Sequence, residues 1–456
     1  MRLLNVLLIT YSFPPAGGVG VLRAASLARY FPAEGIQLDV ITARNASAVG
    51  TDSELLNAIP SEVNIRRTIT LDIPFGVKKR IKTLISGSMS SSARHSAGVA
   101  AKRGFLKRTI QDILLPDPQV MWLGVAARAA RRVIRQKAID LVLITVPPFS
   151  SVLLVEILRK EFPRLPIVVD FRDEWLSTTI DLVSFSRSER ARRVAHSAEA
   201  GAVANSNAIV AVTEAARREI RARYPLEPED KFHMIPNGFD AVKMHRAEPA
   251  ATTTHGDKIV VTYVGTIYGS TDPTWLVQAL LSLPDEVKSR FILRFIGHIE
   301  EPRFREALLQ LGGMVELSGF LPQNVALAAV MESDYALLIT HDPLNVAAKF
   351  YDYLGAGKPI LATVHAGGEV QRLMDELRAG WWVNSRDVEG IRRLFIDAGA
   401  RAGSLAKEFN PDADKIAQYE REILAQRYAR LLYTIVGVQR ACDLHALAVQ
   451  SAESGE

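Results

Sequence analysis

The chain has 456 residues, of which 48% are hydrophobic and 23% charged, and its net charge is +5. This composition suits a globular protein of two or three domains with sizeable cores. The single cysteine, Cys442, excludes a disulfide framework and a cysteine-based metal site, and it fits a reducing cytosol. The small positive charge is compatible with phosphorylated substrates, anionic membranes or nucleic acid, and it selects none of these classes.

The first apolar segment indicates a strand rather than a targeting sequence. Leu3–Thr10 is a run of Leu, Val and Ile bounded by turn residues, which is typical of a buried parallel strand. We therefore do not expect a signal peptide. No run of about 18 apolar residues occurs elsewhere, so no transmembrane helix is expected and the predicted location is cytoplasmic.

Strand, turn and helix alternate through both halves of the chain. Further strands are predicted at Leu38–Thr42, Asp140–Thr145, Pro166–Asp170, Ile209–Val212, Ile259–Val264, Phe291–Ile296, Val315–Leu317, Tyr335–Ile339 and from Ile360 onward. This α/β alternation predicts two doubly wound parallel-sheet domains. The domains are expected at 1–240 and 258–411, with a polar linker at 241–257, an amphipathic helix at 412–435 and a tail at 436–456.

A glycine loop follows the first strand. Phe13-Pro-Pro-Ala-Gly17-Gly18-Val-Gly20 leads into a helix that carries Arg23. Strand, glycine loop and helix let backbone N–H groups approach a phosphate, although the same pattern also suits an ordinary tight turn. The loop is neither a dinucleotide-binding glycine motif nor a P-loop.

The most informative stretch is Val346–Ala362, VAAKFYDYLGAGKPILA. Phe350, Tyr353 and Leu354 share one helical face, and the glycines and Pro359 end the helix. Lys349 lies near the helix start, where it would strengthen an anion site, and Asp352 one turn later could bind a ribose diol. A surface salt pair between these two residues is the alternative.

These segments resemble one protein family. Lys349–Pro359 is similar to the nucleotide-sugar signature of family 4 glycosyltransferases, and Phe13–Arg23 is similar to their glycine loop. The segments at 140–150 and 170–175, and the strand and turn at Lys231–Asp240, resemble a bacterial branch that makes exopolysaccharides and glycolipids. The resemblance covers residues 1–435 as an ordered series of blocks.

The resemblance implies a GT-B fold: two Rossmann-like domains face a cleft, and a C-terminal helix crosses back onto the first domain. It also implies retaining transfer from a UDP- or GDP-linked sugar to a lipid-linked or saccharide acceptor, without a metal or a further cofactor. The expected donor-binding residues are Gly17, Gly18, Gly265, Thr266, Lys349, Asp352, Gly367 and Gly368. The expected acceptor-side residues are Arg23, Arg172 and Asp173. The expected catalytic residues are Lys349 and Asp173.

The sequence also departs from that family. Leu344 replaces the first glutamate of the signature, Asp352 is one methylene shorter than the second, and the turn 265–272 carries no basic residue. A degenerate protein that binds a nucleotide or a partner without catalysis is therefore an alternative. An epimerase using Glu174 and Glu214, or a pyridoxal phosphorylase, is a third possibility on the same fold.

Residues 78–108 form the core of a basic insertion at about 76–112. They contain nine Lys or Arg residues and no acid, with apolar residues interleaved and serines in the middle. Such a segment is predicted to bind an anionic membrane surface, with a solvated loop as the alternative. Because no stacking aromatic residues accompany the charge, nucleic acid is not expected.

Overall fold

A computed structural model describes residues 3–46, 51–70, 114–177, 188–246 and 256–437. Within them the strands form two parallel sheets, one in each half of the chain. The prediction of two doubly wound parallel-sheet domains is confirmed.

The N-terminal domain contains seven strands in the described residues. They are β1 Leu4–Ile9, β2 Ile36–Ala43, β3 Asn64–Thr68, β4 Leu141–Val146, β5 Ile167–Phe171, β6 Ala208–Ala211 and β7 Phe232–Met234. The helices are α1 Val19–Tyr30, α2 Ser53–Asn57, α3 Leu123–Gln136, α4 Leu153–Glu161, α5 Glu189–Asn205, α6 Glu214–Arg223 and α7 Ala241–Arg246. Short 3-10 turns occur at Phe31–Glu34, Pro118–Trp122, Phe149–Val152 and Glu229–Lys231.

The strand order in this sheet is β3-β2-β1-β4-β5-β6-β7. Helices α3 to α6 cover one face, and α1 covers the other face together with the last helix of the chain. The central strands are buried on both faces, which explains their continuous apolar sequence. The carboxyl end of every strand therefore lies at one edge of the sheet, where the loops are free to form a site.

The C-terminal domain contains six strands in the described residues. They are β8 Ile259–Val264, β9 Phe291–Ile296, β10 Val315–Gly319, β11 Tyr335–Ile339, β12 Ile360–Val364 and β13 Gly380–Asn384. The longer helices are α8 Thr274–Leu281, α10 Pro302–Leu309, α11 Gln323–Glu332, α12 Ala348–Gly355, α13 Glu369–Leu377, α14 Val388–Arg401 and α17 Arg421–Val436. The shorter ones are α9 Asp285–Lys288, α15 Leu405–Glu408 and α16 Ala413–Ala417.

The strand order here is β10-β9-β8-β11-β12-β13. Helices α8, α10 and α14 cover one face, and α11, α12 and α13 cover the other. The sheet thus repeats the architecture of the first domain, with β8 and β11 at its centre. Ile259 lies opposite Phe291 and Val264 opposite Ile296, so β8 and β9 pair over their whole length.

The sequence patterns locate the central strands better than the edge strands. The predicted bounds of β8, β9 and β11 are confirmed, whereas β3 and β13 were not predicted. Both missed strands lie at a sheet edge, so they lack the continuous apolar run of a strand buried on both faces. Strand β7, the last of the N-terminal sheet, lies within Lys231–Asp240, the segment that resembled a strand and turn.

The C-terminal segment differs from the single predicted helix at 412–435. Helix α16 ends at Ala417, and α17 begins only at Arg421. Between them the backbone of Glu420 forms a bridge with Phe239, which follows the last strand of the first domain. Helix α17 then packs on the N-terminal sheet through a buried apolar face that includes Tyr428. The crossing back that the resemblance implied is confirmed.

Several expectations fall partly or wholly outside the described residues. The basic segment 78–108 and the tail from residue 438 lie outside them. The first six residues of the predicted linker 241–257 form α7, and 247–255 lie outside the described residues. None of the described helices combines the length and the hydrophobicity that crossing a bilayer requires.

Candidate functional site

The carboxyl ends of the strands in the two sheets meet at the domain junction. Three hydrogen bonds connect the two edges: Glu174 N to Asn345 Oδ1 (3.1 Å), Thr213 Oγ1 to the Leu344 carbonyl (2.8 Å) and Ala215 N to Glu369 Oε2 (3.3 Å). The loops after β5 and β6 therefore lie against the loops after β11 and β12. Ligands bind at this edge in open parallel sheets, so the junction is the candidate site.

Helix α12 supplies a buried cation to this junction. Its apolar face packs as predicted, with Phe350, Tyr353 and Leu354 buried. Lys349, in its first turn, extends over the ring of Tyr263, and Nζ lies 3.7 Å from the ring centroid. This Nζ is buried and has no hydrogen-bond partner among the described residues.

Burial is the only cause of the shifted pKa of this amine. It lowers the pKa of Lys349 from 10.5 to about 7. The charge of Asp352 does not contribute to this shift, and no salt bridge between the two residues is found in the described structure, so the alternative of a surface salt pair is wrong. A buried cation without a counter-ion is costly, and a bound anion would remove that cost.

The turn after β8 brings backbone directly beside the amine. Gly265 has a φ of +131°, and a Cβ at this position would lie 2.9 Å from Lys349 Nζ. Glycine is therefore needed both for the backbone conformation and for the space that the amine occupies. None of the hydrogen bonds within the described residues uses the N–H of Thr266, the next residue. The turn thus offers one unused backbone donor next to the unpartnered amine.

Asp352 lies one helical turn after Lys349 and is half-buried. Burial raises the pKa of its carboxyl to about 6, although the charges of Arg421 and Lys243 lower it. Arg421 begins the helix that crosses back to the first domain and Lys243 lies just after that domain, so Asp352 lies near the junction of the two domains. The carboxyl accepts no hydrogen bond from any described residue, which leaves it available to a hydroxyl donor.

The predicted glycine loop presents the start of α1 to open space. Gly18 precedes the helix with a φ of +97°, and a Cβ there would meet no atom within 4 Å. Val19 is 70% exposed. Since the first N–H groups of a helix have no partner within it, the loop at Gly17 and Gly18 leaves room for a polar or anionic ligand.

Arg23 has a different role from the predicted one on the acceptor side. It is buried and forms a salt bridge with Asp170, with Nη2 and Oδ1 3.0 Å apart. It also donates to the carbonyls of Ile235 and Pro236 and to the hydroxyl of Tyr428. The carboxylate of Asp170 and the Tyr428 hydroxyl raise the pKa of the guanidinium further, although burial acts first to lower it. With its donors occupied, Arg23 connects α1, β5 and α17 and offers nothing to a ligand.

Arg172 and Asp173, the other two expected acceptor-side residues, form no ion pair with each other in the described structure. The Arg172 guanidinium donates to three backbone carbonyls, those of Gly20, Val146 and Pro147. It therefore fixes the glycine loop against the loop after β4. Burial raises the pKa of the Asp173 carboxyl to about 6; the charge of Arg172 lowers it, and that of Asp342 raises it. Of these two residues, Asp173 is the one that remains free to contact a ligand.

The second glycine pair, Gly367 and Gly368, offers less than predicted. The N–H of Gly367 donates to Gln371 Oε1 at 2.7 Å, and that of Gly368 donates to the His365 carbonyl at 3.1 Å. A Cβ on Gly368 would lie 3.1 Å from Pro343, so this glycine serves close packing. Both N–H groups therefore have partners within the described residues, and donor binding by this pair stays a prediction.

An aromatic pair was missed as a site feature. His298 and Phe320 stack with ring centroids 5.4 Å apart and planes inclined by 11°, and Phe320 is 61% exposed. Each follows a glycine with positive φ at a strand end, Gly297 and Gly319. The His298 carbonyl accepts a hydrogen bond from Ile267 N at 2.8 Å, so the pair adjoins the Gly265 turn. An aromatic residue directly after a strand-ending glycine is the signal that could have revealed it.

The carboxylates considered for an epimerase are already engaged. Glu174 is fully buried and accepts from Arg223 at 2.6 Å. Glu214 pairs with Arg217 and Arg218, and the hydrogen bond from Arg217 contributes most to lowering the pKa of its carboxyl. Neither of these two carboxylates is free to transfer protons, so neither supports epimerase chemistry.

Metal ligands were not expected from the sequence. No group of three His, Cys, Asp or Glu side chains suited to a metal ion is found in the described part of the chain. His341 instead contacts Ser385 Oγ and the Asp272 carbonyl, and Asp342 accepts from the backbone N–H of Leu344. Independence of metal and of further cofactors stays a prediction.

The chain is similar to a known protein family and to several solved structures. The family model described as Glycosyltransferase Family 4 matches residues 16–243. No curated protein sequence matches the chain. The fold can therefore be compared only through the family model and solved structures.

Three solved structures cover nearly the whole chain. The Candida albicans trehalose-6-phosphate phosphatase N-terminal domain has a TM-score of 0.64 at 13% identity, covering 94% of this chain and 97% of that one. Anabaena Alr3699/HepE, solved in complex with UDP and glucose, has a TM-score of 0.61 at 14% identity, with coverage of 94% and 98%. Burkholderia multivorans trehalose 6-phosphate synthase has a TM-score of 0.62 at 12% identity, with coverage of 96% and 99%. The two facing domains thus have the GT-B arrangement.

Proposed function

The chain belongs to glycosyltransferase family 4, and on that premise we propose that it transfers a sugar from a nucleoside-diphosphate donor to a lipid-linked or saccharide acceptor. One observation carries the proposal: the buried amine of Lys349 has no partner and lies beside the Gly265 turn. This arrangement suits a diphosphate, whose negative charge would supply the missing counter-ion.

The same two groups would stabilise the leaving group. As the bond between sugar and diphosphate breaks, negative charge grows on the diphosphate oxygens. Fixed donors aimed at that charge lower the barrier more than they stabilise the bound substrate. Lys349 Nζ and the Thr266 N–H fit this role from the C-terminal domain, and the open loop at Gly17 and Gly18 fits it from the N-terminal domain. No metal is invoked.

The nucleoside has two candidate contacts. The Asp352 carboxyl, which accepts no hydrogen bond from the described residues, would bind the ribose hydroxyls. The exposed face of Phe320, stacked on His298, would carry the base. Because the Anabaena structure is described with UDP and glucose, UDP is the first nucleotide to test, with GDP next.

Asp173 is the candidate contact for the acceptor. It lies at the end of β5 in the N-terminal domain, opposite Asp342 in the C-terminal domain. Its raised carboxyl pKa of about 6 favours a group that can hold or accept the proton of an acceptor hydroxyl. The donor phosphate could equally take that proton in a retaining transfer, so Asp173 is proposed to orient the acceptor in either case.

The pathway is proposed from the sequence resemblance. Synthesis of a surface polysaccharide or a glycolipid would place the acceptor at the inner face of the cytoplasmic membrane. The basic residues at 78–108 suit an anionic surface there, with the protein otherwise cytoplasmic. The enzyme would then be peripheral to the membrane.

The test is a thermal-shift titration of the full chain with UDP, GDP, ADP, CMP and NAD. A ligand that binds the native state raises the midpoint, so one nucleoside diphosphate should stabilise the protein selectively. Lys349→Met should abolish that shift. Lys358→Met is the matched control, since burial also lowers the pKa of Lys358, while the charge of Asp334 at the other end of the sheet raises it. Equal shifts in wild type and Lys349→Met would overturn the assignment.

A second candidate is a protein that binds the nucleotide without transferring a sugar. It is favoured by Leu344, which stands where the family signature has a glutamate, and by the absence of a basic residue in 265–272. A nucleotide shift together with no turnover or hydrolysis of UDP- or GDP-sugars would support this candidate. Slow donor hydrolysis that depends on Lys349 would exclude it.

A further inference from the structure

Three large apolar side chains are exposed together on the N-terminal domain. Ile69 is 62% exposed, Met121 44% and Val125 39%. The indole of Trp122 donates to Thr68 Oγ1 at 2.8 Å, which ties the end of β3 to the segment before α3. Ile69 and Met121 each adjoin one partner of that hydrogen bond, and they therefore lie at the same corner of the domain.

Helix α3 continues this corner as a basic stripe. Met121, Val125, Arg128, Arg132 and Arg135 follow one another at intervals of three and four residues, which is the spacing of one helical face. All five are exposed. The opposite face of α3 is buried against the sheet through small apolar residues, so the stripe points outward.

Two of the three arginines carry charge that no described residue neutralises. Arg135 pairs with Glu161, with Nη2 and Oε2 3.0 Å apart. Arg128 and Arg132 form no salt bridge with any described residue. Exposed apolar residues at one end of a helical face and uncompensated arginines along it are the features of a surface that binds anionic lipid.

We infer that Ile69, Met121 and Val125 enter the interface of an anionic phospholipid bilayer while Arg128, Arg132 and Arg135 contact its phosphates. The positive charge of the stripe complements such a bilayer. The apolar side chains at the corner are exposed to water in the free protein and would be buried in the bilayer interface. This inference makes the proposed function more specific. It rests on that function, because an enzyme with a lipid-linked acceptor has to contact the membrane. It assigns the contact to described residues of the N-terminal domain, separately from 78–108.

A nucleic acid is the less suitable occupant. Single strands bind through exposed aromatic side chains beside a basic groove, and the stripe on α3 has none. Sedimentation of the protein with single-stranded oligonucleotides tests this alternative. Binding to oligonucleotides without binding to vesicles would overturn the inference.

The experiment is flotation of the full chain with two kinds of vesicle. One contains about 30% phosphatidylglycerol in phosphatidylcholine, and the other contains phosphatidylcholine alone. Wild type should float with the anionic vesicles, and added salt should release it. Arg128→Gln/Arg132→Gln should weaken partitioning about 25-fold, at about fivefold for each basic residue near the surface. Met121→Ser/Val125→Ser should weaken it as well.

The control is Arg305→Gln/Arg393→Gln, which removes the same charge from exposed positions of the C-terminal domain. This variant should float like wild type. Equal flotation of the Arg128/Arg132 variant, or no flotation of wild type, would overturn the inference. The nucleotide thermal shift should be unchanged in every one of these variants, so failure here is distinct from failure of the Lys349 assignment.

Discussion

Arg23 and Lys349 are both buried cations, one in each domain, and they differ in what surrounds them. The Arg23 guanidinium is held by a carboxylate, a phenol and two carbonyls. The Lys349 amine has a tyrosine ring beneath it and no hydrogen-bond partner among the described residues. Burial alone therefore does not mark a functional residue. A buried charge whose partners are all supplied by the chain builds the fold, whereas one that lacks a partner is prepared for a ligand.

The pKa directions express the same difference. Around Arg23, the neighbouring Asp170 and Tyr428 outweigh burial and raise the pKa of the guanidinium. Around Lys349, burial acts without opposition and lowers the pKa of the amine to about 7. The first residue gains stability from its charge within the free protein. The second gains it only when an anion arrives.

The largest effect on stability is expected from removing Arg23, whose hydrogen-bond donors are occupied by groups of the protein. Arg23→Met leaves Asp170 buried without its cation, which should lower the free energy of unfolding by about 3–5 kcal/mol. Urea denaturation measures this loss. Arg218→Met is the control, because Arg218 is 73% exposed where it pairs with Glu214 and its loss should cost less than about 1 kcal/mol. Similar losses in the two variants would show that the network is not important for stability.

Removing the unpartnered cation should affect turnover instead. Lys349→Met is expected to reduce sugar transfer or donor hydrolysis by about 10²–10³-fold, the range for loss of one transition-state donor. Its unfolding free energy at pH 7 should be equal to or higher than that of wild type, since a buried charge is removed. Steady-state kinetics and urea denaturation of one preparation measure both. A stability loss as large as that of Arg23→Met would place Lys349 among the structural residues.

A substitution of Phe320 tests whether the aromatic pair binds the base of the nucleotide. Phe320→Ala should weaken nucleotide binding by about 1–3 kcal/mol, the usual contribution of one stacked base. Inorganic pyrophosphate, which lacks a base, should bind the variant and wild type equally. Calorimetric titrations with UDP, GDP and pyrophosphate measure the difference. If pyrophosphate binding falls as much as nucleotide binding, the aromatic pair supports the turn rather than the base.

The last prediction concerns pH, where the effect at any one pH unit is small. Because the Lys349 pKa is about 7 in the folded protein and 10.5 in the unfolded one, the unfolded state binds more protons between these values. The contribution of Lys349 to stability should therefore rise with pH in that window, with a slope of at most about 1.4 kcal/mol per pH unit. Other groups titrate there too, so the measured quantity is the difference between wild type and Lys349→Met. A difference that stays constant from pH 7 to 9.5 would contradict the lowered pKa.

Local sequence patterns were sufficient for the central elements of the site. The buried face of α12, the turn at Gly265 and the loop at Gly17 and Gly18 all lie where periodicity and glycine positions predicted them. Two of the edge strands, β3 and β13, were missed because they lack the apolar run that marks a central strand buried on both faces. The break between α16 and α17 was missed because it depends on a backbone bridge to Phe239.

The roles of individual charges were harder to predict than the elements that carry them. Arg23 and Arg172 were both expected near the acceptor, yet each donates to groups of the protein itself. Gly367 and Gly368 were expected to offer N–H groups that are already used. In each case the partner comes from a loop or side chain whose position the local pattern does not contain.

The amino-acid sequence by itself determined the alternation of strands and helices, the glycine turns at the strand ends and the presence of Lys349 and Asp352 on one short helix. These features depend on neighbours within a few residues, which periodicity records. Only the tertiary structure decided which cation is satisfied and which is not. Asp170 and Tyr428 reach Arg23 from 147 and 405 residues away in the chain, while no side chain of the described residues reaches the amine of Lys349. That assignment depends on which distant segments the fold brings together, and hydrogen-bond partners at such separations leave no local trace in the sequence.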